Sequence, residues 1–541
     1  MNKKNIYQLF CCLIAVISFS ACNSGLDQTP TDPDSFTQQD VFANATEAKS
    51  ALAKLYAGLA LTGQTGPAGN ADISSIDEGT SQFTRLLYIL NDLPTDLAVN
   101  GWGDAGLSDF HDMDWTASNG FIEGMYYRLA LEVSYCNSFI ENATALSDDA
   151  DVKQYIAEAR FLRAYAYSYL IDFFGNVPLV TQVSTDTPEQ STRTDIFNFI
   201  ASELLDIQDD LAASGANEYG RVDQVADWAL LSRIYLNAET WIGEDKYADC
   251  VTYAQKVITS TYHLNTVDAN GNGSAYDELF MADNNTNGAQ NEFIFTANFD
   301  GVNSRSYGGS TFLVHANVGG TMDAGAFGIN GGWAGNRTTK ALVSKFDDAI
   351  TEKDADNNPT AWSDSRAMFY TDGQSYEINT IANTFTDGYA VTKFTNLKSD
   401  GEMGNDATGN YVDTDVPLIR VAEVYLNYAE AVLRGGGGST SDAVNYINQL
   451  RERGYGDTTH AITTSDLTLD FILNERAREL YWEGFRRTDL IRYGYFTSSS
   501  YLWPFKGGVS SGTGTDDYRN LYPIPSNILS VNPNLTQNSG Y

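Results

Sequence analysis

The sequence predicts a mostly α-helical fold: a tetratricopeptide-like helical scaffold, with long irregular loops packed on it to form a ligand-binding face. Three observations carry this reading. Apolar residues recur at steps of three and four in several blocks, the spacing of one buried helical face; Ile156, Ala159, Leu162, Ala166, Tyr169 and Phe173 form the clearest set. Two helix–turn–helix units of about 34–40 residues recur, with small residues where helices must close up. Between 262 and 415 the periodicity collapses, and 301–336 is rich in glycine.

Each segment has its reason. Lys3 and Lys4 precede an apolar run, Leu9 to Ser18, too short to span a bilayer. It ends in Phe19-Ser20-Ala21-Cys22, so 1–21 reads as a signal peptide and Cys22 stands where a bacterial lipobox places its acylated cysteine. Residues 22–35 are then a lipidated N-terminus and polar, Pro-containing tether, and 36–541 one domain. No other stretch has 18 uncharged apolar residues in a row, so membrane attachment is expected through lipid alone. Helical patterning covers Ala45–Leu61. The block 153–174 stops at Gly175, with Pro178 just beyond, as a helix end should. A helix over 194–213 follows. Ala226–Glu239 pairs with Tyr247–Ser260, Leu418–Arg434 with Ser441–Arg453, and 466–493 adds another pair. Repeats thus occupy roughly 153–260 and 417–494, and loop-rich regions 262–415 and 498–527. Cys136 and Cys250 fall in helical stretches and read as buried free thiols rather than a disulfide.

Composition narrows the function. The 541 residues are 43% hydrophobic and 12% aromatic, enough for a substantial core. Lys+Arg number 33 against 70 Asp+Glu, a net charge of -37 that repels phosphate backbones and anionic headgroups, so no nucleic-acid partner is expected. Tyr (32), Phe (27) and Gly (46) supply flat contact faces and loops that approach ligands closely. The four histidines stand far apart without metal-ligand spacing. There is no G-x-x-x-x-G-K-[ST] phosphate-binding loop. Asp354–Asn358 (DADNN) begins like an EF-hand loop but lacks the sixth-position glycine, and reads as surface loop.

Five ordered segments resemble the SusD family of outer-membrane nutrient-binding lipoproteins: 158–180 (EARFLRAYAYSYLIDFFGNVPLV), 221–238 (RVDQVADWALLSRIYLNA), 417–434 (PLIRVAEVYLNYAEAVLR), 472–494 (ILNERARELYWEGFRRTDLIRYG) and 520–541. Segments 77–96, 278–284, 304–314, 385–396, 413–418 and 501–508 resemble its starch-binding branch. The resemblance implies a non-enzymatic lipoprotein on the outer-membrane surface. It would capture starch or maltooligosaccharide, an α-glucan, and deliver it to a TonB-dependent SusC-type porin. It implies Trp102, Tyr307 and Trp333 as ring platforms and Asp77 and Arg85 as hydrogen-bonding groups. Asn100 stands where the starch binder carries a second tryptophan, which allows a differently shaped glucan. It also implies a structural Ca²⁺ at Asp283, Asn285, Asp413 and Asp415, whose hard oxygens suit that ion. The competing expectations are the same family with another glycan or peptide ligand, and a secreted glycoside hydrolase.

Overall fold

The computed structural model describes residues 38–382 and 384–541. The signal segment, Cys22 and nearly all of the tether lie outside the described residues.

Short polar side chains start most of the helices by accepting their first free N–H groups. Asn44 does so for α1 (Ala45–Ala60) and Gln82 for α2 (Phe83–Asn91). After the strand β1 (Ala98–Asn100), Asn119 caps α3 (Gly120–Ala143) and Asp149 caps α4 (Ala150–Phe174). Gly175, at φ 70°, closes α4 with its N–H on the Ile171 carbonyl. Thr192 caps α5 (Arg193–Ile207) and Asp223 caps α6 (Gln224–Ile242); α7 (Tyr247–Ile258) follows. Strand β2 (Phe293–Ala297), helix α8 (Gly309–His315) and strand β3 (Asn336–Thr338) lie in the irregular region. Strand β4 (Val416–Arg420) runs directly into α9 (Val421–Leu433), followed by α10 (Thr440–Tyr455), α11 (Leu469–Leu480) and α12 (Arg486–Arg492).

The helices stack in order, each burying an apolar stripe it could not bury alone. α3 packs on α4, α4 on α5, α5 on α6 and α6 on α7. The next neighbour of α7 is α9, although residues 259–420 separate them in sequence. α9 then packs on α10 and α11, and α1 lies against α3 and α4. The long insertion is pinned at its base where β2 and β4 pair antiparallel, Val416 opposite Ala297 and Arg420 opposite Phe293. Cys136 and Cys250 are buried free thiols, and no described helix is long and apolar enough to cross a membrane.

Three details depart from the sequence reading. α3 and α2 were not anticipated. Residues 208–213 are turn rather than helix. Leu418–Arg420 are strand, because this fully buried run pairs with β2. The helix pair expected over 466–493 is present as α11 and α12, with Trp482 between them at φ 65°. Asp354–Asn358 is the turn of a hairpin between Ile350–Lys353 and Pro359–Trp362, with Asp354 accepting from the Asp356 and Asn358 N–H groups.

A buried ion network ties insertion to scaffold. Glu479 on α11 meets Arg420 at 2.6 Å, Arg366 at 3.2 Å, and Arg453 of α10. Glu475 pairs with Arg366 at 2.7 Å, and Glu292 with Arg420 at 2.9 Å. Lys393 reaches Glu483 at 2.6 Å. The charges of the 472–494 motif therefore point inward.

Candidate functional site

The site begins with a short ladder. β1 pairs antiparallel with β3, Asn100 opposite Asn336. The Gly101 N–H extends it to the Gly335 carbonyl at 3.1 Å. Trp102 follows one strand by two residues and Trp333 precedes the other by three, so the ladder delivers both indoles to the same end. The Trp102 Nε1–H donates to the Trp333 carbonyl at 3.0 Å. Gly335 leaves room for this arrangement: a Cβ there would lie 2.4 Å from the Trp102 ring. That glycine opens the seat of Trp102 rather than the face of Trp333.

Tyr307 arrives through α2 and α8. Gln82 accepts from the Arg85 N–H at 2.9 Å while also accepting from the Gly309 N–H at 2.8 Å. One side chain therefore fixes the start of α2 against the loop carrying Tyr307. Gly79 sits under that tyrosine, where a Cβ would be 2.6 Å from its own Cβ.

The rings form a continuous arc. Trp102 and Trp333 centroids are 6.5 Å apart, Trp333 and Tyr307 6.4 Å, Tyr307 and Tyr411 5.3 Å. Each plane is turned from the next by 47°, 49° and 48°. His315 stacks on Trp333 at 4.8 Å and 25°. It is held by a 2.6 Å contact of Nδ1 with the Gly331 carbonyl, and burial lowers its pKa, so it supports the indole as a neutral ring.

Arg85 lies against the arc, 5.8 Å from the Trp102 ring centre and 4.8 Å from that of Phe312. Its Nη1 donates to the Tyr307 carbonyl at 3.3 Å, while its buried Nε has no protein partner. Burial pulls its pKa down to about 10, opposed by the charges of Asp77 and Asp104. Asp77 is exposed and accepts from the Thr80 N–H and hydroxyl.

Asn100 is placed differently. It is 3% exposed and faces away from the open side of the rings. Its Oδ1 accepts the Trp102 N–H at 2.8 Å and its Nδ2 donates to Asn336 at 2.7 Å. Its own N–H donates to His111 Nε2 at 3.1 Å. Burial and Arg337 hold His111 down at about 3, so it accepts as the neutral ring. Asn100 orients Trp102 rather than substituting for a ring.

Residues 349–541 match the sequence profile of the SusD family, and 89–236 match one described as "Starch-binding associating with outer membrane". The chain is 38% identical to the starch-binding protein SusD of Bacteroides thetaiotaomicron, with all of both chains covered. This chain belongs to the SusD family. A SusD-like protein P2 of Formosa agariphila is 25% identical, covering 81% of this chain and 85% of its own. A SusD homolog of B. thetaiotaomicron superposes with a TM-score of 0.72 at 21% identity, covering 93% and 98%. Surface glycan-binding protein A of the same organism, solved with laminarihexaose, superposes at 0.66 with 22% identity, covering 91% and 99%. The helix array is thus the SusD-type, tetratricopeptide-like fold.

The calcium expectation for this SusD-family chain does not fit the donor set. Asp413 accepts the Gly301 and Asn405 N–H groups, one on each oxygen. Asp415 accepts the Phe299 N–H and the Tyr219 hydroxyl. Asp283 accepts the Ser399 N–H and hydroxyl. Asn285 is exposed, and its neighbour Asn284 makes the contact with the Asp415 backbone. Among the described residues no three His, Cys, Asp or Glu are grouped to hold a metal ion. These carboxylates organise loop backbone.

Sequence reasoning missed Tyr411, His315 and Asp104. Tyr411 stands two residues before Asp413, and Asp104 two after Trp102, so proximity to motif residues was the available signal. Nothing in the sequence marks His315 as the ring beneath Trp333.

Proposed function

We propose that this protein is a non-enzymatic surface binder of neutral glucan, of the starch or maltooligosaccharide type. The observation that carries it is the four-ring arc. A neutral glucan gives Coulomb attraction nothing to act on, but it offers apolar C–H faces and hydroxyl edges. Trp102, Tyr307 and Trp333 are partly exposed and supply the flat faces, while Tyr411 packs against Tyr307 as a buried ring. Arg85 and Asp77 supply hydrogen-bonding groups at its edge. The rings are pre-set by the ladder, by Gln82 and by His315, so ordering on binding costs little. The 38% identity to a starch-binding protein supports the α-glucan reading. A binder without a channel needs a pore, and we assign that role to a SusC-type TonB-dependent transporter. Anchoring through an acylated Cys22 at the outer membrane completes the reading.

Calorimetry with maltoheptaose on wild type and Trp333→Ala tests it. The variant is expected to lose about 1–3 kcal/mol of binding energy, as a central aromatic anchor does. Unchanged affinity in the folded variant places the site elsewhere. Sustained release of reducing ends points to the hydrolase, and an affinity-gel screen with other glycans and peptides tests ligand class. Recovery of Cys22→Ala in membranes after a salt wash argues against lipid anchoring.

A further inference from the structure

A second opening lies beside the arc. A cleft of about 570 Å³ runs between α1 and the segment 296–304, within the size range of small-ligand sites. Its apolar floor includes Ala53 and Ala57 of α1 and Leu61 just beyond it. Thr296, Asn298 and Ser304 line the facing wall. Between them stands Tyr219, which is 38% exposed. Its hydroxyl donates to the buried Asp415 at 2.9 Å, so the ring is pinned at its polar end while part of it remains open.

The charges at this cleft neutralise one another. Lys49 pairs with Glu218 at 2.6 Å, and Arg221 with Glu158 at 2.6 Å and Glu218 at 3.1 Å. What is left for a ligand is a ring, an apolar floor and neutral hydrogen-bonding groups. The cleft lies within a few residues of the arc along the chain. Ser304 lines it and Tyr307, three residues on, is an arc ring; three extended residues span at most about 11 Å. Arg305 stands between, its guanidinium 5.5 Å from the centre of the Tyr411 ring and 4.0 Å from where a Cβ on Gly66 would be, in the loop that leaves α1.

We propose that this cleft is a second carbohydrate subsite, in which Tyr219 is the platform and Asn298 and Ser304 bond hydroxyls, holding the continuation of an oligosaccharide already bound on the arc. It rests on the glucan reading above and adds a chain-length preference. A short oligosaccharide fills the arc alone; a longer one crosses Arg305 and reaches Tyr219.

Calorimetry with maltotriose and maltoheptaose on wild type, Tyr219→Ala and Ala53→Trp tests this. Ala53 is exposed on α1, so a tryptophan there fills the cleft without touching the arc or the Tyr219–Asp415 bond. Both variants are expected to weaken maltoheptaose by about tenfold, the scale of one well-packed aromatic contact, and to leave maltotriose unchanged. Equal affinity of Ala53→Trp and wild type for maltoheptaose overturns the subsite. So does equal weakening of both sugars, which would mean that the cleft acts only through the arc. A wild-type protein that binds neither sugar overturns the α-glucan reading and this extension with it, whereas loss of both sugars in Trp333→Ala alone upholds the arc.

Discussion

A methyl group at Gly335 would meet the Trp102 indole at 2.4–2.8 Å, and Gly335 itself closes the ladder by accepting the Gly101 N–H. Gly335→Ala is therefore expected to rotate Trp102 off the arc, shifting tryptophan fluorescence and weakening maltoheptaose as much as Trp102→Ala does, with the melting temperature little changed. Asn100 acts one step behind. Removing its amide leaves the Trp102 N–H and the Asn336 side chain without their partner, and a buried unsatisfied group costs about 1–3 kcal/mol. Asn100→Ala is expected to lower stability in urea unfolding by that amount and to loosen binding less than loss of the ring. Asn100→Asp keeps the acceptor and should recover part of the affinity, which a merely space-filling role would not predict. At this scale the rings were legible only through the family resemblance, which named Trp102, Tyr307 and Trp333; the structure sets the three side by side. The orientation of Asn100 was not legible, because a polar residue reads the same in sequence whether it faces a sugar or a neighbouring strand.

Helices with one clean apolar stripe were readable from spacing, and α4, α6 and α7 fall within a few residues of their expected ends. α3 escaped because Gly120, Gly124, Ser134 and Asn137 interrupt its pattern, and it is buried on more than one side. Tertiary packing against α4 stabilises what propensity alone would not. β4 escaped because strand and helix adjoin without a turn between them. The 472–494 motif was legible as a pattern, but not as chemistry. Its charges close a network around Glu479 that spans α10, α11, the end of β4 and the insertion. Deleting one partner of such a cluster strands the others in a dry interior. Glu479→Ala is expected to destabilise by about 3–5 kcal/mol, read as a lower urea midpoint, while Glu218→Ala at the exposed Lys49 pair costs less than about 1 kcal/mol.

Over the whole molecule two sets of buried carboxylates oppose each other. Burial alone would raise Glu479, but Arg453, Arg420 and Arg366 outweigh it and hold it down at about 2; Arg492 and Arg434 likewise outweigh burial at Glu430, also at about 2. Such groups contribute stability above their ordinary value near about 4.3 and lose it as pH falls towards 2. Asp92 and Glu132 run the other way. Burial pushes Asp92 up to about 7 and Glu132 to about 8. Their contribution is fully present below the ordinary carboxylate range and is lost as pH rises through 7 to 8. The surplus of 70 acids over 33 bases adds repulsion in the same direction. Thermal unfolding across pH is therefore expected to peak at about pH 5–6, falling gently towards pH 8 and steeply below pH 4. A peak at or above pH 8 would contradict this assignment of the buried acids.

The packing of α7 directly on α9, across the whole of residues 259–420, also bears on how such a chain can diversify. The two helices meet whatever lies between them, and β2 with β4 ties the intervening segment off at its neck. Lengthening a tied-off loop adds only about 0.6 kcal/mol of closure entropy for each doubling. Loops beyond the neck can therefore lengthen at little cost so long as Arg366 and Lys393 still reach Glu475, Glu479 and Glu483, so a lineage can vary the recognition surface by insertion between these fixed points.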